Sequence, residues 1–178
     1  MRDDLERIIL SESELQEKVS KLGEQISKDY EGKDLMLVGV LKGSVIFMAD
    51  LLKKITIPCT MDFMAVSSYG NSTTTSGVVR ILKDLDFEIE GKHVLIVEDI
   101  IDSGITLRYL MEYLKGRKPA SLEIACLLSK AERRKVEIPA RYIGFDVPDY
   151  FLVGYGLDYA EKYRNLPYIG ILKEEVYK

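Results

Sequence analysis

Apolar residues follow two different spacings along the chain, and these spacings predict which segments are helices and which are strands. Between Ser11 and Tyr30, four apolar residues recur at intervals of three or four: Leu15, Val19, Leu22 and Ile26. This spacing lines one face of a helix. Ser11 and Glu14 have the spacing of a capping box, and Gly32 follows the last turn. The pattern therefore predicts a helix from about Ser11 to Tyr30.

Continuous apolar runs predict strands that are covered on both faces. Strands are predicted at 35–40, 59–66, 78–82, 93–97, 121–128, 142–147, 151–155 and 168–172. Further helices are predicted at 45–54 and 104–115. This alternation is typical of an α/β fold, with a mainly parallel sheet flanked by helices. No repeat, low-complexity tail or linker divides the sequence, so residues 1–178 are predicted to form a single domain.

The range 67–77 differs from the rest because nearly all of its residues are small and polar. It lies between two predicted strands and lacks apolar residues that would anchor it to a core. Two interpretations remain open: a slack hairpin connection or a lid that closes over a site during turnover.

Composition and charge narrow the class of protein. The chain has 25 Lys and Arg against 29 Asp and Glu, a formal net charge of -4, which argues against a protein that coats nucleic acid. Its two cysteines, Cys59 and Cys126, lie in apolar runs and are predicted to be buried thiols in a reducing compartment. With no signal-peptide pattern and no apolar window long enough for a bilayer, we expect a cytoplasmic protein that binds no membrane.

The run 94–106 carries the most unusual chemistry of the sequence. A predicted strand leads through Glu98 and Asp99 to the turn Asp102–Thr106, which opens a helix. Ligands of parallel sheets bind where strands end. The free backbone N–H groups of the helix start, with the hydroxyls of Ser103 and Thr106, form a cradle for a phosphate monoester. Neither a triphosphate-binding loop nor a dinucleotide fingerprint is present.

Three acids so close to an anion site require a second explanation. Glu98, Asp99 and Asp102 would repel a phosphate, unless the ligand also carries hydroxyl groups or a divalent cation that carboxylates can bind. A phosphorylated sugar with a metal-bound leaving group meets that description. The plainer alternative is that Asp102 only caps the following helix.

On these residues the chain resembles the type I phosphoribosyltransferases. The run 94–106 matches their thirteen-residue signature of four apolar residues, two acids, two apolar residues and Asp-Ser-Gly-x-Thr. The resemblance covers nearly the whole chain and is closest to the hypoxanthine-guanine branch. Segments that support the branch are 41–44, 67–70, Lys130 with 132–134, 153–159 and 163–166. The resemblance implies the family fold, with a small hood formed by chain ends.

The resemblance also implies a reaction: transfer of the 5-phosphoribosyl group from phosphoribosyl pyrophosphate to a 6-oxopurine in purine salvage. Asp102 would be the general base that removes the proton from purine N7. Glu98 and Asp99 would bind the ribose hydroxyls. The 5′-phosphate would be held by Asp102, Ser103, Gly104, Ile105 and Thr106.

The remaining implied roles concern pyrophosphate, magnesium, the lid and the base. The pyrophosphate would be bound by Lys42, Gly43 and Arg164, and the peptide before Lys42 can be cis in this family. Mg²⁺ would be the cofactor, with Glu98, Asp99 and Asp158 as ligands. The purine would contact Lys130, Phe151 and Leu152, and the lid would include Ser68 and Tyr69. The family forms dimers and tetramers, so a homodimer or homotetramer is expected.

Two departures and one rival class bear on specificity and function. Tyr150 stands where relatives often have lysine, and Ser129 stands where aspartate is common. His93 is predicted to be a strand-end residue, and 132–135 a solvated turn.

A regulator that senses sugar phosphates while binding RNA or DNA could keep the same signature. It would need a basic face or added length. The nearer rival is the same enzyme class acting on another base.

Overall fold

The computed structural model describes residues 1–68 and 79–178. Its strands are β1 (Leu5–Leu10), β2 (Leu35–Leu41), β3 (Cys59–Ser68), β4 (Val79–Lys83), β5 (His93–Ile101), β6 (Ser121–Ser129), β7 (Tyr142–Asp146), β8 (Leu152–Val153) and β9 (Ile169–Leu172). Its helices are α1 (Glu12–Asp29), α2 (Val45–Lys54), α3 (Ile105–Lys115) and α4 (Glu174–Tyr177). None of the helices within these two ranges is long and apolar enough to cross a membrane.

The main sheet has six strands in the order β4-β3-β2-β5-β6-β7. All neighbours are parallel except β4, which runs antiparallel to β3. Alternate residues of β2 face opposite sides, as strand geometry requires. Leu35 and Leu37 pack in the cluster that includes α1 and α2, while Met36 and Val38 pack in the cluster that includes α3. The predicted mainly parallel sheet flanked by helices is confirmed.

Helix α1 begins and ends where the sequence indicated. The Ser11 side-chain oxygen accepts from the Glu14 backbone N–H at 3.2 Å, and the Glu14 carboxylate accepts from the Ser11 N–H at 2.8 Å. This is the predicted capping box. Tyr30 closes the helix, and Gly32 turns the chain with a φ of +74°.

A second sheet forms the hood, with β9 between β1 and β8 and all pairs antiparallel. The expected hood is therefore confirmed. The spacing of apolar residues did not predict β1. The strand predicted at 151–155 was too long, because Gly154, Tyr155 and Gly156 have φ values of +102°, +50° and +100°. Left-handed residues cannot continue an extended strand, so β8 is confined to Leu152 and Val153.

Strand β5 is longer than the predicted 93–97. It runs to Ile101, and its last residues pair with β6, Ile100 with Leu128 and Ile101 with Ser129. The reason is that apolar Ile100 and Ile101 resume the strand pattern beyond the two acids. Glu98 and Asp99 therefore lie within the strand, where the sheet fixes their backbone.

Candidate active site

The predicted phosphate cradle is a small cavity at the carboxyl end of β5. It has a volume of about 130 Å³, and its lining includes Glu98, Asp102, Ser103, Gly104 and Thr106. Gly104 precedes α3 with a φ of +85°, a conformation that glycine adopts readily. The free N–H groups at the start of α3 lie beside this cavity, so the cradle has the shape and polarity of an anion site.

Glu98 and Asp99 place two neighbouring carboxyl groups beside this cradle. Burial raises the pKa of Glu98 well above its ordinary value, and the neighbouring Asp99 charge raises it further. Burial also raises the pKa of Asp99, although Asp99 accepts from the Ile100 N–H at 2.7 Å. Neighbouring carboxyl groups that are only partly exposed, as these are, are costly to keep charged together, and such perturbed pairs mark functional sites.

The turn after β2 approaches the acids of β5 at backbone level. The Leu41–Lys42 peptide is cis, as the resemblance allowed. A Cβ placed on Gly43 would overlap the Asp99 carboxylate, and a Cβ on Gly156 would overlap the Gly43 carbonyl. The turn after β2, the strand β5 and the hood therefore meet at two glycines.

Arg164 is held close to this meeting point by the hood. Its Nη1 donates to the Gly156 carbonyl at 2.7 Å, and its Nη2 lies 3.4 Å from Asp158 Oδ1 and 3.2 Å from Glu161 Oε1. Its Nε is buried, and no acceptor in residues 1–68 or 79–178 hydrogen-bonds to it. The ammonium of Lys42 lies 2.9 Å from the other Glu161 oxygen. The structure thus brings Lys42 and Arg164, two predicted pyrophosphate ligands, to one carboxylate.

The predicted purine residues lie at the junction of β6 and the hood. Lys130 is buried, and its ammonium donates to the Tyr150 carbonyl at 2.7 Å. The ring of Phe151 stacks on Tyr177 of α4, with centroids 4.6 Å apart. Leu152 is buried in β8. One face of the Phe151 ring is therefore supported by α4.

The range 132–135 is a largely exposed turn, as predicted, with Arg134 partly buried, and both of its arginines also contact Asp102. Arg133 Nε lies 2.8 Å from Asp102 Oδ1, although no hydrogen bond from the described residues is properly directed at that buried oxygen. Arg134 donates to the Asp102 carbonyl at 3.2 Å and to the Ser129 hydroxyl at 2.8 Å. Sequence reasoning missed both because a short run of charges gives no signal of a distant partner.

Other predictions have mixed outcomes. His93 begins β5 and its Nδ1 lies 2.7 Å from the Ser121 hydroxyl, as expected of a strand-end residue. Cys126 is buried but Cys59 is only partly buried. The lid prediction falls largely outside the described residues: β3 extends to Ser68, while Tyr69 belongs to the range 69–78.

The predicted magnesium ligands Glu98, Asp99 and Asp158 do not form a preassembled metal site. In the part of the chain that the structure describes, no three Asp, Glu, His or Cys side chains are grouped to hold a metal ion. Magnesium usually keeps several waters and binds through one or two carboxylates plus substrate phosphates. The neighbouring carboxylate oxygens of Glu98 and Asp99 would therefore fit a magnesium ion whose other ligands are waters and substrate phosphates.

A buried tyrosine anchors the hood loop to the helices behind it. Tyr155 donates to Asp50 of α2 at 2.5 Å, and Asp50 also accepts from Gln16 of α1 at 3.0 Å. Tyr155 lies between Gly154 and Gly156, so its anchor sets the loop that contacts Gly43 and Arg164.

We expect Tyr155→Phe to lower the free energy of unfolding by about 1–3 kcal/mol, because the partly buried Asp50 loses a donor. Urea denaturation measures this loss. The exposed Tyr109 provides the control variant Tyr109→Phe. An equal loss in both variants would contradict the anchoring role of Tyr155.

The fold and this site are those of a phosphoribosyl transferase domain. The chain belongs to the phosphoribosyl transferase domain family, whose domain matches residues 8–160. It is 55% identical over 178 residues to the hypoxanthine-guanine phosphoribosyltransferase of Bacillus subtilis (strain 168), covering 100% of this chain and 99% of that protein. The family resemblance inferred from the sequence is confirmed.

Two further similarities concern length and fold. The bifunctional protein TilS/HprT of Listeria monocytogenes serotype 4b (strain F2365) is 56% identical over 177 residues, which are 99% of this chain but 27% of that protein. A crystal structure of a hypoxanthine phosphoribosyltransferase from Staphylococcus aureus has a TM-score of 0.98 at 53% identity, covering 100% of this chain and 97% of that one.

Proposed function

We propose that the chain transfers the 5-phosphoribosyl group from phosphoribosyl pyrophosphate to a ring nitrogen of hypoxanthine, and also of guanine, releasing pyrophosphate in purine salvage. The observation that supports this proposal is the arrangement of an anion cradle, two carboxyl groups and two cations around the carboxyl end of β5. An anion cradle at Ser103–Thr106 lies beside the adjacent carboxyl groups of Glu98 and Asp99. The charge of Arg164 acts on Asp99, and Lys42 and Arg164 share the Glu161 carboxylate. A phosphate, a polyol and a diphosphate joined in one substrate match this arrangement.

The mechanism follows from charge. As the bond to pyrophosphate breaks, positive charge develops on the ribose and negative charge on the leaving group. Lys42 and Arg164 stabilise the leaving group, since fixed charges placed where charge develops provide the largest catalytic effect. Mg²⁺ bound with the diphosphate would neutralise the same charge, with Glu98, Asp99 and Asp158 as its proposed protein-side partners. The Asp102 carboxylate takes the proton from the purine N7.

The purine base is recognised by hydrogen-bond donors and by an aromatic ring. Lys130 donates to the 6-oxo group and Phe151 stacks on the purine, while backbone groups near Leu152 contact the opposite edge. The Lys130 ammonium already donates to a carbonyl oxygen at 2.7 Å, which supports its selection of an oxo group. Adenine presents an amino group there, so it is disfavoured.

Three further proposals concern the protein around the site. Ser68 and Tyr69 belong to a lid that excludes water from the ribosyl cation. The chain acts as a homodimer or homotetramer, which the exposed apolar side chains of Val45 and Ile46 on α2 support. It acts in the cytoplasm, which fits the free thiols of Cys59 and Cys126.

The test is ultraviolet-monitored turnover with phosphoribosyl pyrophosphate and magnesium, with hypoxanthine, guanine, xanthine and adenine offered in parallel. We expect conversion of the 6-oxopurines and none of adenine. If no base is converted although the sugar pyrophosphate binds, the enzyme proposal fails, and a ligand-sensing regulator becomes the better explanation.

A further inference from the structure

One carboxylate, that of Glu161, binds both cations that the proposed reaction assigns to pyrophosphate. Its two oxygens divide between them: Oε2 lies 2.9 Å from the Lys42 ammonium and Oε1 lies 3.2 Å from Arg164 Nη2. Lys42 and Glu161 are far apart in sequence and on different sheets' loops, so this contact depends on the folded hood. Both side chains are largely exposed, at 67% and 64%, so a dissolved anion can reach the pair.

The backbone around Glu161 is shaped to present this carboxylate. Ala160 and Glu161 both have left-handed φ values, +50° and +64°, which are uncommon for residues with a Cβ. The Glu161 N–H donates to Asp158 Oδ2 at 3.0 Å, and Tyr159 and Lys162 close the turn by reciprocal backbone bonds. Conformations of this kind persist where the surrounding structure fixes them, and they cluster at ligand sites.

The charge state of Glu161 fits an anionic role. The hydrogen bond from Lys42, together with the nearby Arg164 charge, holds the pKa of Glu161 below its usual value. The carboxylate is therefore ionised at neutral pH, and it presents two oxygens to two cations as a phosphate group would.

We propose that Glu161 is an internal competitor of the diphosphate: its carboxylate neutralises Lys42 and Arg164 in the free protein and must leave them when pyrophosphate binds. The inference rests on the proposed function, because it takes Lys42 and Arg164 as the pyrophosphate ligands. Glu161 weakens the binding of both the substrate and the product diphosphate. After transfer, the returning carboxylate competes for the same cations and speeds release of pyrophosphate.

The expected size of the effect is modest, since exposed ion pairs contribute little each. Removing the competing charge is expected to tighten binding of magnesium pyrophosphate by about 3- to 10-fold. The KM for phosphoribosyl pyrophosphate falls by a similar factor, while kcat stays equal or falls because product release slows. A purely structural role would instead raise KM or lower stability.

The experiment is titration calorimetry of the whole protein with magnesium pyrophosphate at physiological salt. Glu161→Gln keeps the shape of the side chain, and Glu161→Ala also removes the oxygen that could still accept from Lys42. The matched control is Glu17→Gln, since Glu17 pairs with Lys21 at 3.1 Å with 70% and 66% exposure. Thermal melting confirms that each variant is folded, and steady-state assays supply KM and kcat.

Tighter diphosphate binding in both Glu161 variants, with Glu17→Gln like the wild type, supports the inference. If the wild type converts hypoxanthine but the Glu161 variants bind magnesium pyrophosphate equally or more weakly, the inference is overturned. The proposed function is then left intact. A wild-type protein that neither binds magnesium pyrophosphate nor converts any purine overturns both.

Discussion

Replacing Asp102 with asparagine is expected to lower kcat by about 10²- to 10⁴-fold, the range by which a positioned general base accelerates proton transfer. Asparagine has nearly the same shape but cannot take the proton from the purine. The backbone contact survives, because Arg134 donates to the Asp102 carbonyl rather than to its side chain. The buried Asp102 Oδ1 lies 2.8 Å from Arg133 Nε, so this contact has to open before that oxygen takes the proton.

The control for this prediction separates the base from its ion pair. Arg133→Gln removes the guanidinium that lies 2.8 Å from Asp102 Oδ1 and leaves the carboxylate in place. Its effect on kcat is expected to be below about tenfold, since exposed ion pairs are weak. Saturating steady-state kinetics with hypoxanthine measures both variants. If Asp102→Asn keeps more than a tenth of the wild-type kcat, another group is the base.

Replacing Glu98 with glutamine is expected to make the protein more stable and less active. The KM for phosphoribosyl pyrophosphate should rise by about 10- to 100-fold, because a hydrogen bond to a charged group contributes about 1.5–3 kcal/mol. At the same time, the variant no longer has to bury a negative charge beside Asp99. Activity assays and chemical denaturation test the two halves of this prediction on one sample.

The raised pKa of Glu98 determines whether the stability of the wild type rises or falls with pH. The pKa of Glu98 is raised in the folded protein by burial, so the folded state binds its proton more tightly than the unfolded state. Stability is therefore complete below the ordinary value of 4.5 and falls as pH rises toward the raised pKa. For each unit by which the pKa of Glu98 is raised, the free energy of unfolding is lower by about 1.4 kcal/mol at pH values above the raised pKa.

The stability advantage of Glu98→Gln should therefore be present at pH 7 and vanish below about pH 4, where both proteins carry a neutral group. Glu17→Gln serves as the control, since its carboxylate is exposed on α1. A wild type that is as stable as the variant at pH 7 would show that Glu98 is not penalised by burial.

Much of the fold could be predicted from the sequence because the signals for its helices and strands are local. The capping box of α1 and the apolar runs of the central strands are each read within a few residues, and both were confirmed. The phosphate cradle was equally accessible, since strand, acids, turn and helix start are contiguous in 94–106. Its predicted roles remain predictions, but its shape could be inferred without knowing any distant contact.

The features that could not be predicted from the sequence depend on contacts between residues that are far apart along the chain. The contact of Glu161 with Lys42 joins the hood to the turn after β2, and Arg133 reaches back to Asp102. No periodicity marks such pairs. The left-handed turn at Tyr155 was missed for a related reason, because an apolar run with interspersed glycines resembles a strand until its tertiary partner Asp50 is known.

The hood also has a consequence for the order in which the chain is synthesised. Strand β1 pairs with β9, and β9 is made last among the strands. While the ribosome adds the central sheet, the backbone edge of β1 has no partner from the hood, and unpaired edges invite association with other chains. The phosphate cradle can form as soon as β6 has emerged. The loop that carries Arg164 and Glu161 gains the support of β9 only after 169–172 have been added, so the hood side of the site forms later than the cradle.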